Sequence, residues 1–468
     1  MPRTAPHLAR PSAIRTILLA FVVTSGCGSR DAALQSPADA DSADLDARAD
    51  EVSTDAHAGS IVTGVVVDFA TKRALPGRLV VINGHQTTTD DHGTFVLDGV
   101  APIYDAVVIE PDASTATVYE QLGRHNPVLP HTSSILSGST TYAGWVAGTL
   151  SGGSAYPLHS GDRVDTYFFS ALANGSLILA GGVPSSDGPA YRLGVQWNGP
   201  SSLPGHLMAL GTFDSSRDAG LTDAGASALA PEFSYYSEDF TMIGGGNGTA
   251  NVNLETARTA HLVGRIDSPV QYPATEILTY YRLNFPNSLI SVAGAGNTPV
   301  SFDFTVPDLT ASGATLCARA IRSTTVAGPS LETEECDLPF GTLSEPLTIQ
   351  TPPNLLTPNT GTTVAAGSAF TWTPFPGGVY VLTLQAPSGA TAYPYIRIVT
   401  SSTTANWPDL SAFGIAFPTG ASYSVTISGV GPFREMDDAV SPNGLGAVFR
   451  AETRWSTSNA VRVTTAGL

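Results

Sequence analysis

Lysine is almost absent from this sequence: Lys72 is the only one among 468 residues. Lysine and arginine together number 22 against 40 acidic residues, so the formal net charge is -18. Nucleic acids and anionic lipid surfaces are bound by clustered basic side chains. We therefore expect no nucleic-acid partner and no electrostatic attachment to a membrane.

Charge of either sign is scarce as well, because only 13% of the residues are charged. Long helices are not expected, since 47 glycines and 34 prolines interrupt the helical pattern wherever they fall. A hydrophobic fraction of 42% is still sufficient to fill cores, which excludes a wholly disordered chain. At roughly 100–150 residues per domain, the length predicts three or four β-rich domains.

Residues 1–26 have the layout of a secretory signal peptide, with three early arginines and the short apolar stretch Ile17–Val23. Seven apolar residues are too few to span a bilayer as a helix. The tetrapeptide Thr24-Ser25-Gly26-Cys27 resembles the lipobox of bacterial lipoproteins, although leucine is the usual residue at the position of Thr24. The resemblance implies cleavage before Cys27 and its lipidation; an ordinary signal peptide with an incidental cysteine is the alternative.

Residues 27–58 form an acidic, low-complexity segment after this cysteine. Between Asp31 and His57 the sequence has eight acidic residues against the single Arg48, and no apolar period. Like charges repel each other and little can be buried, so we expect a disordered, extended tether. The spacing lacks the glycine and glutamate that a calcium-binding EF-hand loop requires.

Residues 59–138 begin the folded part with strand-like runs separated by turns. Gly64-x-Val66-x-Asp68, Pro76 and the hairpin from Thr89 to Phe95 resemble the carboxypeptidase regulatory-like domain over roughly residues 59–118. That family implies a small transthyretin-like β-sandwich, which serves as a structural or interaction unit and is not catalytic.

Residues 139–256 and 257–350 share a weak internal repeat. Gly148 and Tyr156-Pro157 recur as Gly264 and Tyr272-Pro273 at the same spacing. Short alternating strands separated by turn residues predict two tandem Ig-like antiparallel sandwiches. The whole chain is therefore expected to be all-β, with tandem sandwich modules after the tether.

Cys317 and Cys336 lie in the second of these repeats, and Cys27 is the only other cysteine. Two thiols cannot complete a zinc site by themselves. In an oxidising compartment we expect the two to form a disulfide bond, with a free reactive thiol as the alternative.

Residues 351–468 resemble a fibronectin type III domain, with Trp372 in the second strand and Tyr423 in the penultimate one. The long stretch Gly431–Arg454 before the last strand departs from that pattern. We expect Trp372 and Tyr423 to share one core. We also expect this module to fold independently of the earlier ones, because Pro352-Pro353 makes a stiff linker.

Enzyme signatures are missing: the sequence contains no HExxH, CxxC, Walker A or GxSxG motif. Asp90, Asp91 and His92 are interpreted as turn residues and not as a metal site, and Asp437-Asp438 as part of a solvated loop. We therefore assign no catalytic residue, no metal and no cofactor, and an active site assembled from distant strands stays open.

Five tryptophans are the other candidates for a site, since exposed indoles stack on sugar rings. Trp145 and Trp372 lie in apolar strands and are expected in the core. Trp197, beside amide side chains in Gln196-Trp197-Asn198-Gly199, is the ligand-contact candidate. Burial between two sheets is the favoured interpretation of Trp197, because large aromatics dominate sandwich cores.

These patterns together predict a lipid-anchored protein of the bacterial cell envelope, at the outer membrane or the cell surface. Its expected function is adhesion, or binding of a surface protein or glycan, by non-catalytic β-sandwich modules. The alternatives are a secreted enzyme acting on glycan or peptide and an accessory subunit of an envelope export machine. The oligomeric state is not indicated.

Replacing the anchor residue tests the predicted address. Cys27→Ala should release the protein from the membrane fraction or leave the leader uncleaved, because the acyl chains that hold it in the bilayer have no other attachment. Cell fractionation and mass spectrometry of the N-terminus measure both effects. Unchanged membrane partitioning with clean cleavage at another residue would exclude the anchor.

Overall fold

A computed structural model describes the protein at residues 59–133, 141–152, 163–170, 190–198, 200–213, 232–283, 288–323, 328–386, 393–447 and 450–466. Cys27, the leader and the tether lie outside the described residues. Within these ranges the regular structure is almost entirely strand, and the helical elements are a few residues long. The predicted all-β class with several antiparallel-rich sheets is therefore confirmed.

The first segment contains seven strands in two sheets. They are β1 Ser60–Asp68, β2 Leu79–Ile82, β3 His85–Thr88, β4 Thr94–Val100, β5 Tyr104–Ile109, β6 Thr115–Leu122 and β7 Val128–His131. β1 pairs antiparallel with β4 and parallel with β7, whereas β2 lies between β3 and β5. Val62 and Val66 of β1 point inward, because alternate residues of a strand face the same side.

The second segment contains two facing sheets. Its strands are β8 Thr141–Ser151, β9 Arg163–Phe169, β10 Ala190–Asn198, β11 Ser202–Phe213, β12 Glu232–Ile243, β13 Asn247–Thr249, β14 Val252–Asn253 and β15 Glu255–Ala257. One sheet has the order β10-β8-β13 and the other β15-β12-β11-β9. A core that includes Val146, Phe168 and Leu207 fills the space between them.

The third segment has a similar plan. Its strands are β16 Thr259–Asp267, β17 Glu276–Arg282, β18 Leu289–Gly296, β19 Ser301–Pro307, β20 Thr315–Arg322, β21 Ser330–Cys336, β22 Gly341–Thr342 and β23 Leu347–Thr348. β16 pairs antiparallel with β19 and parallel with β22 and β23, as β8 pairs with β10, β13 and β14. Gly148 and Gly264, which the sequence repeat aligns, lie in these corresponding strands β8 and β16.

The last segment contains β24 Leu355–Thr357, β25 Thr363–Val364, β26 Ala369–Trp372, β27 Val379–Gln385, β28 Tyr395–Thr400, β29 Thr404–Asn406, β30 Ser422–Gly431, α1 Met436–Ala439, β31 Glu452–Thr457 and β32 Val461–Thr465. β25 pairs in parallel with β32, so an early strand pairs with the last one, as β1 pairs with β7 in the first segment. Trp372 and Tyr423 lie in one core, as predicted.

The first, third and last segments share one sheet. β6 of the first segment pairs in parallel with β28 of the last, and β21 of the third pairs antiparallel with β31. A single 14-stranded sheet therefore runs through three segments, with β18 at one end and β3 at the other.

The segments share cores as well, which contradicts the expectation that the last segment has a core of its own. Ile109 and Val118 of the first segment pack in the same core as Trp372. Phe169 and Met208 of the second pack with Leu262 of the third in another. The predicted boundaries at 138/139, 256/257 and 350/351 stay predictions.

A second correction concerns Asp437 in the stretch Gly431–Arg454, because its carboxylate is not simply solvated. The Asp437 carboxylate accepts hydrogen bonds from the backbone amides of Gly123 at 2.9 Å and Arg124 at 3.0 Å. Lys72 Nζ donates to the carbonyl of Leu445 at 2.7 Å, and desolvation lowers the pKa of this amine to about 8. The stretch thus holds the last segment against the first.

A core substitution tests the coupling of the two segments. Trp372→Ala should cost about 3–5 kcal/mol, as the loss of a large core aromatic does. Because Ile109 and Val118 share its core, β5 and β6 should lose hydrogen-exchange protection together with residues 351–466. Leu356→Ala is the matched control, since this leucine is 54% exposed. Retained protection of β5 and β6 in Trp372→Ala would contradict the shared core.

Candidate functional site

Trp197, the ligand-contact candidate, is a core residue. It is 3% exposed and lies on the same face of β10 as Leu193 and Val195. Its indole N–H donates to the carbonyl of Pro200 at 2.7 Å, and its ring stacks on Tyr142. Trp197 is therefore buried between the two sheets, which was the favoured interpretation, and its ring is not open to a ligand.

Cys317 and Cys336 form the expected disulfide bond. They are directly opposite each other on β20 and β21, with 4.0 Å between their Cα atoms. The bond lies beside Tyr280 in a small buried cluster. It cross-links the strand β21 that joins the third segment to β31.

The carboxylate of Asp90 forms hydrogen bonds within its own turn. One Asp90 carboxylate oxygen accepts hydrogen bonds from the backbone amides of His92 at 2.9 Å and Thr94 at 2.8 Å, which closes the turn. Among the described residues no group of three or more His, Cys, Asp or Glu is placed to hold a metal ion.

No helix in the same residues is long and apolar enough to cross a membrane.

A polar cluster is buried inside the first segment. Arg78 and Glu110, each 4% exposed, form an ion pair at 2.9 Å. His131, which is fully buried, makes a hydrogen bond with the hydroxyl of Thr117 at 2.9 Å. Burial, with Arg78 and Arg397 nearby, lowers the pKa of His131 to about 3. The cluster is therefore closed off from solvent.

The carboxylate of Glu110 does not offset this lowering. Its other oxygen is 3.8 Å from the His131 ring, too far for a hydrogen bond, and Glu110 is already paired with Arg78. Desolvation of the imidazolium therefore decides the protonation state. His131 is neutral in the folded protein at neutral pH.

Trp145 is the exposed tryptophan, contrary to the expectation that it lies in the core. It is 41% exposed on the outer face of β8, because the inward-facing residues of this strand are Val146 and Leu150. The guanidinium of Arg192 lies 4.0 Å from the centre of its ring. The ring also covers Gly194, where a Cβ atom would come within 2.5 Å of it.

The surroundings of Trp145 are small and polar. Along β8 its same-face neighbours are the small residues Ala143 and Ala147. Asn247 of β13 is its register partner on one side and Gly194 of β10 on the other. Other outward residues of the three strands carry hydroxyl or amide groups, among them Thr141, Thr149, Gln196 and Thr249. This outer face of the β10-β8-β13 sheet is called the Trp145 face below.

Comparison with known proteins identifies no family. No family model matches the chain, and no curated protein matches it. A leucine-rich repeat protein from Bacteroides thetaiotaomicron is similar over 44% of this chain and 27% of its own, with 9% identity and a TM-score of 0.17. Two B repeat units of the collagen binding protein of Staphylococcus aureus are similar over 87% of this chain and 99% of theirs, with 11% identity and a TM-score of 0.14. TM-scores this low carry no argument about fold or function.

The buried histidine makes stability depend on pH. The pKa of His131 is about 3 in the folded protein against 6.5 for an ordinary histidine, so below pH 6.5 the unfolded chain binds a proton that the folded one does not. The free energy of unfolding should therefore fall by about 2 kcal/mol from pH 7 to pH 5 through this residue.

Urea unfolding at several pH values measures this loss. His131→Asn should flatten the pH dependence by that amount, whatever it does to stability at pH 7. His92→Asn is the matched control, because His92 is exposed in a turn. An unchanged slope in His131→Asn would show that other groups cause the pH dependence.

Proposed function

We propose that this protein is a lipid-anchored binding protein of the bacterial cell envelope that recognises acidic glycans through the Trp145 face. The observation that carries the proposal is the 41% exposure of Trp145 at the centre of a sheet face. Exposed aromatics in polar surroundings are typical of binding surfaces.

The flat shape of the face suits an extended, polar ligand. Apart from Arg192, the outward residues next to the indole are alanine, glycine, threonine, asparagine and glutamine, which are short and offer donors and acceptors to hydroxyl groups. Sugar rings combine such hydroxyl groups with apolar C–H faces. A ring lying along β8 would therefore contact the indole and the amides together.

Arg192 favours an acidic ligand over a neutral one. Its guanidinium is held next to the indole in a protein whose net charge is -18. A planar guanidinium binds carboxylate and sulfate groups with two parallel hydrogen bonds. The remaining acidic surface repels polyanions, so binding is confined to this face.

The finer architecture is part of the same proposal. We assign the four segments to transthyretin-like, Ig-like and fibronectin type III-like sandwiches, supported by the recurring parallel pairing of an early strand with a last one. The anchor at Cys27 and the acidic tether would hold this array away from the membrane, as the leader and composition of residues 1–58 favour.

Affinity electrophoresis in gels containing alginate, dextran sulfate or neutral dextran tests the proposal. The protein should be retarded by an acidic polysaccharide and not by dextran. Trp145→Ala should weaken binding about ten-fold or more, because losing one aromatic contact costs about 1.5–3 kcal/mol. Arg192→Gln should weaken binding to the acidic polysaccharides.

Phe340→Ala is the matched control, because this phenylalanine is also exposed, at 37%, and lies in the third segment. It should leave the retardation unchanged. Equal retardation of the wild-type protein and Trp145→Ala would contradict the assignment of the face, and retardation by none of the three polysaccharides would contradict the ligand class.

A further inference from the structure

A second cluster lies on the other sheet of the second segment. His206 of β11 has its Nδ1 atom 3.0 Å from the Asp239 carboxylate and its Nε2 atom 2.5 Å from the Ser237 hydroxyl. A neutral imidazole donates from one ring nitrogen and accepts at the other. The carboxylate can only accept, so Nδ1 carries the proton and Nε2 accepts the hydrogen bond of the Ser237 hydroxyl.

The sheet itself holds the three side chains together. His206 and Asp239 are register partners on β11 and β12. Ser237 is two residues before Asp239 and therefore projects from the same face. Groups carried by paired strands keep their geometry better than groups on loops.

We propose that Ser237, His206 and Asp239 form a nucleophilic triad that hydrolyses small acyl esters, an activity beyond the proposed binding role. The order carboxylate, imidazole, hydroxyl is the arrangement by which serine hydrolases activate their nucleophile, and it recurs on unrelated folds. The triad is therefore identified by its geometry and not by a sequence motif.

A substrate can reach the serine. Ser237 is half-buried and lines a cavity of about 530 Å³ together with Tyr235, Asn253, Glu255 and Ser312. Part of the triad faces water, since the side chain of Asp239 is 97% exposed and that of His206 is 19% exposed. The size and polar lining suit a short acyl group better than a long apolar one.

The backbone supplies a donor for the developing oxyanion. Peptide groups along an antiparallel strand point alternately to its two sides. The amide of Gly244, just after β12, donates to the carbonyl of Ser201 on the β11 side. The amides of even-numbered residues of β12 therefore point toward β11, and those of odd-numbered residues point to the outer edge of the sheet. β15 covers that edge only as far as Tyr235. The amide of Ser237 therefore points toward the cavity, where an oxyanion donor is needed.

The reaction balances with water as the only co-substrate. The Ser237 oxygen attacks the ester carbonyl while its proton moves to Nε2 of His206, and the C–O bond to the alcohol breaks as Nε2 returns that proton to the leaving oxygen. Water then attacks the acyl-serine through the same base, which releases the carboxylic acid and restores the hydroxyl. Asp239 keeps the imidazole oriented and stabilises its cationic form.

A fluorophosphonate probe tests the nucleophile in the full-length protein. The probe should label Ser237, as located by mass spectrometry of the peptides, and heat-denatured protein should not be labelled. The protein should also hydrolyse p-nitrophenyl acetate. Ser237→Ala should abolish both signals, and His206→Gln should lower both rates about 100-fold or more, as removal of a general base does.

His261→Gln is the matched control. His261 has the same type of partner, Asp303 at 3.3 Å, but no serine is bonded to its ring among the described residues. It should leave labelling and hydrolysis unchanged. Absence of labelling, labelling of a different serine, or equal labelling of the His206→Gln variant would each overturn the proposal.

Discussion

The parallel pairing of β6 with β28 is the constraint on which the rest of the structure depends. Five register pairs, from Thr115–Tyr395 to Tyr119–Val399, join strands that are about 280 residues apart in sequence. Both faces of β6 are buried as a result: Tyr119 packs in one core and Val118 in another. Parallel strands are stable when both faces are covered, so the first and last segments must be folded together.

The sequence alone predicts those features of the fold that depend on residues close together in the chain. Alternating β-branched runs, turn residues and the two late cysteines indicated strands, hairpins and the disulfide, because these follow from neighbours in the chain. The pairing of segments could not be predicted in this way. An uncharged run such as Thr115–Tyr119 indicates a strand that is buried on both faces. It does not indicate which strand pairs with it. The sequence predicts a solvated Asp437, since the amides of Gly123 and Arg124 that it binds are more than 300 residues away and leave no local signal.

The two sites differ in how visible they are in the sequence. Trp145 lies on the same face of β8 as Ala143 and Ala147, whereas Val146 lies on the opposite face. Because small residues dominate the face of Trp145, the alternation in the sequence predicts that this face points outward. His206 and Ser237 become neighbours only through the register of β11 and β12. Residues 214–231 separate these two strands, and no local signal sets a register across so long a connection.

The contact of Lys72 with Leu445 has a practical consequence. Lys72 is the only lysine of the chain, and its amine is engaged by a carbonyl of the last segment and lies 4.8 Å above the ring of Phe69. An amine-reactive dye or crosslinker therefore meets a single side-chain target, which is half-buried and hydrogen-bonded to Leu445 while the first and last segments stay joined. Covalent tagging at this one position would report the separation of the two ends of the fold, residue-specifically and without an engineered label.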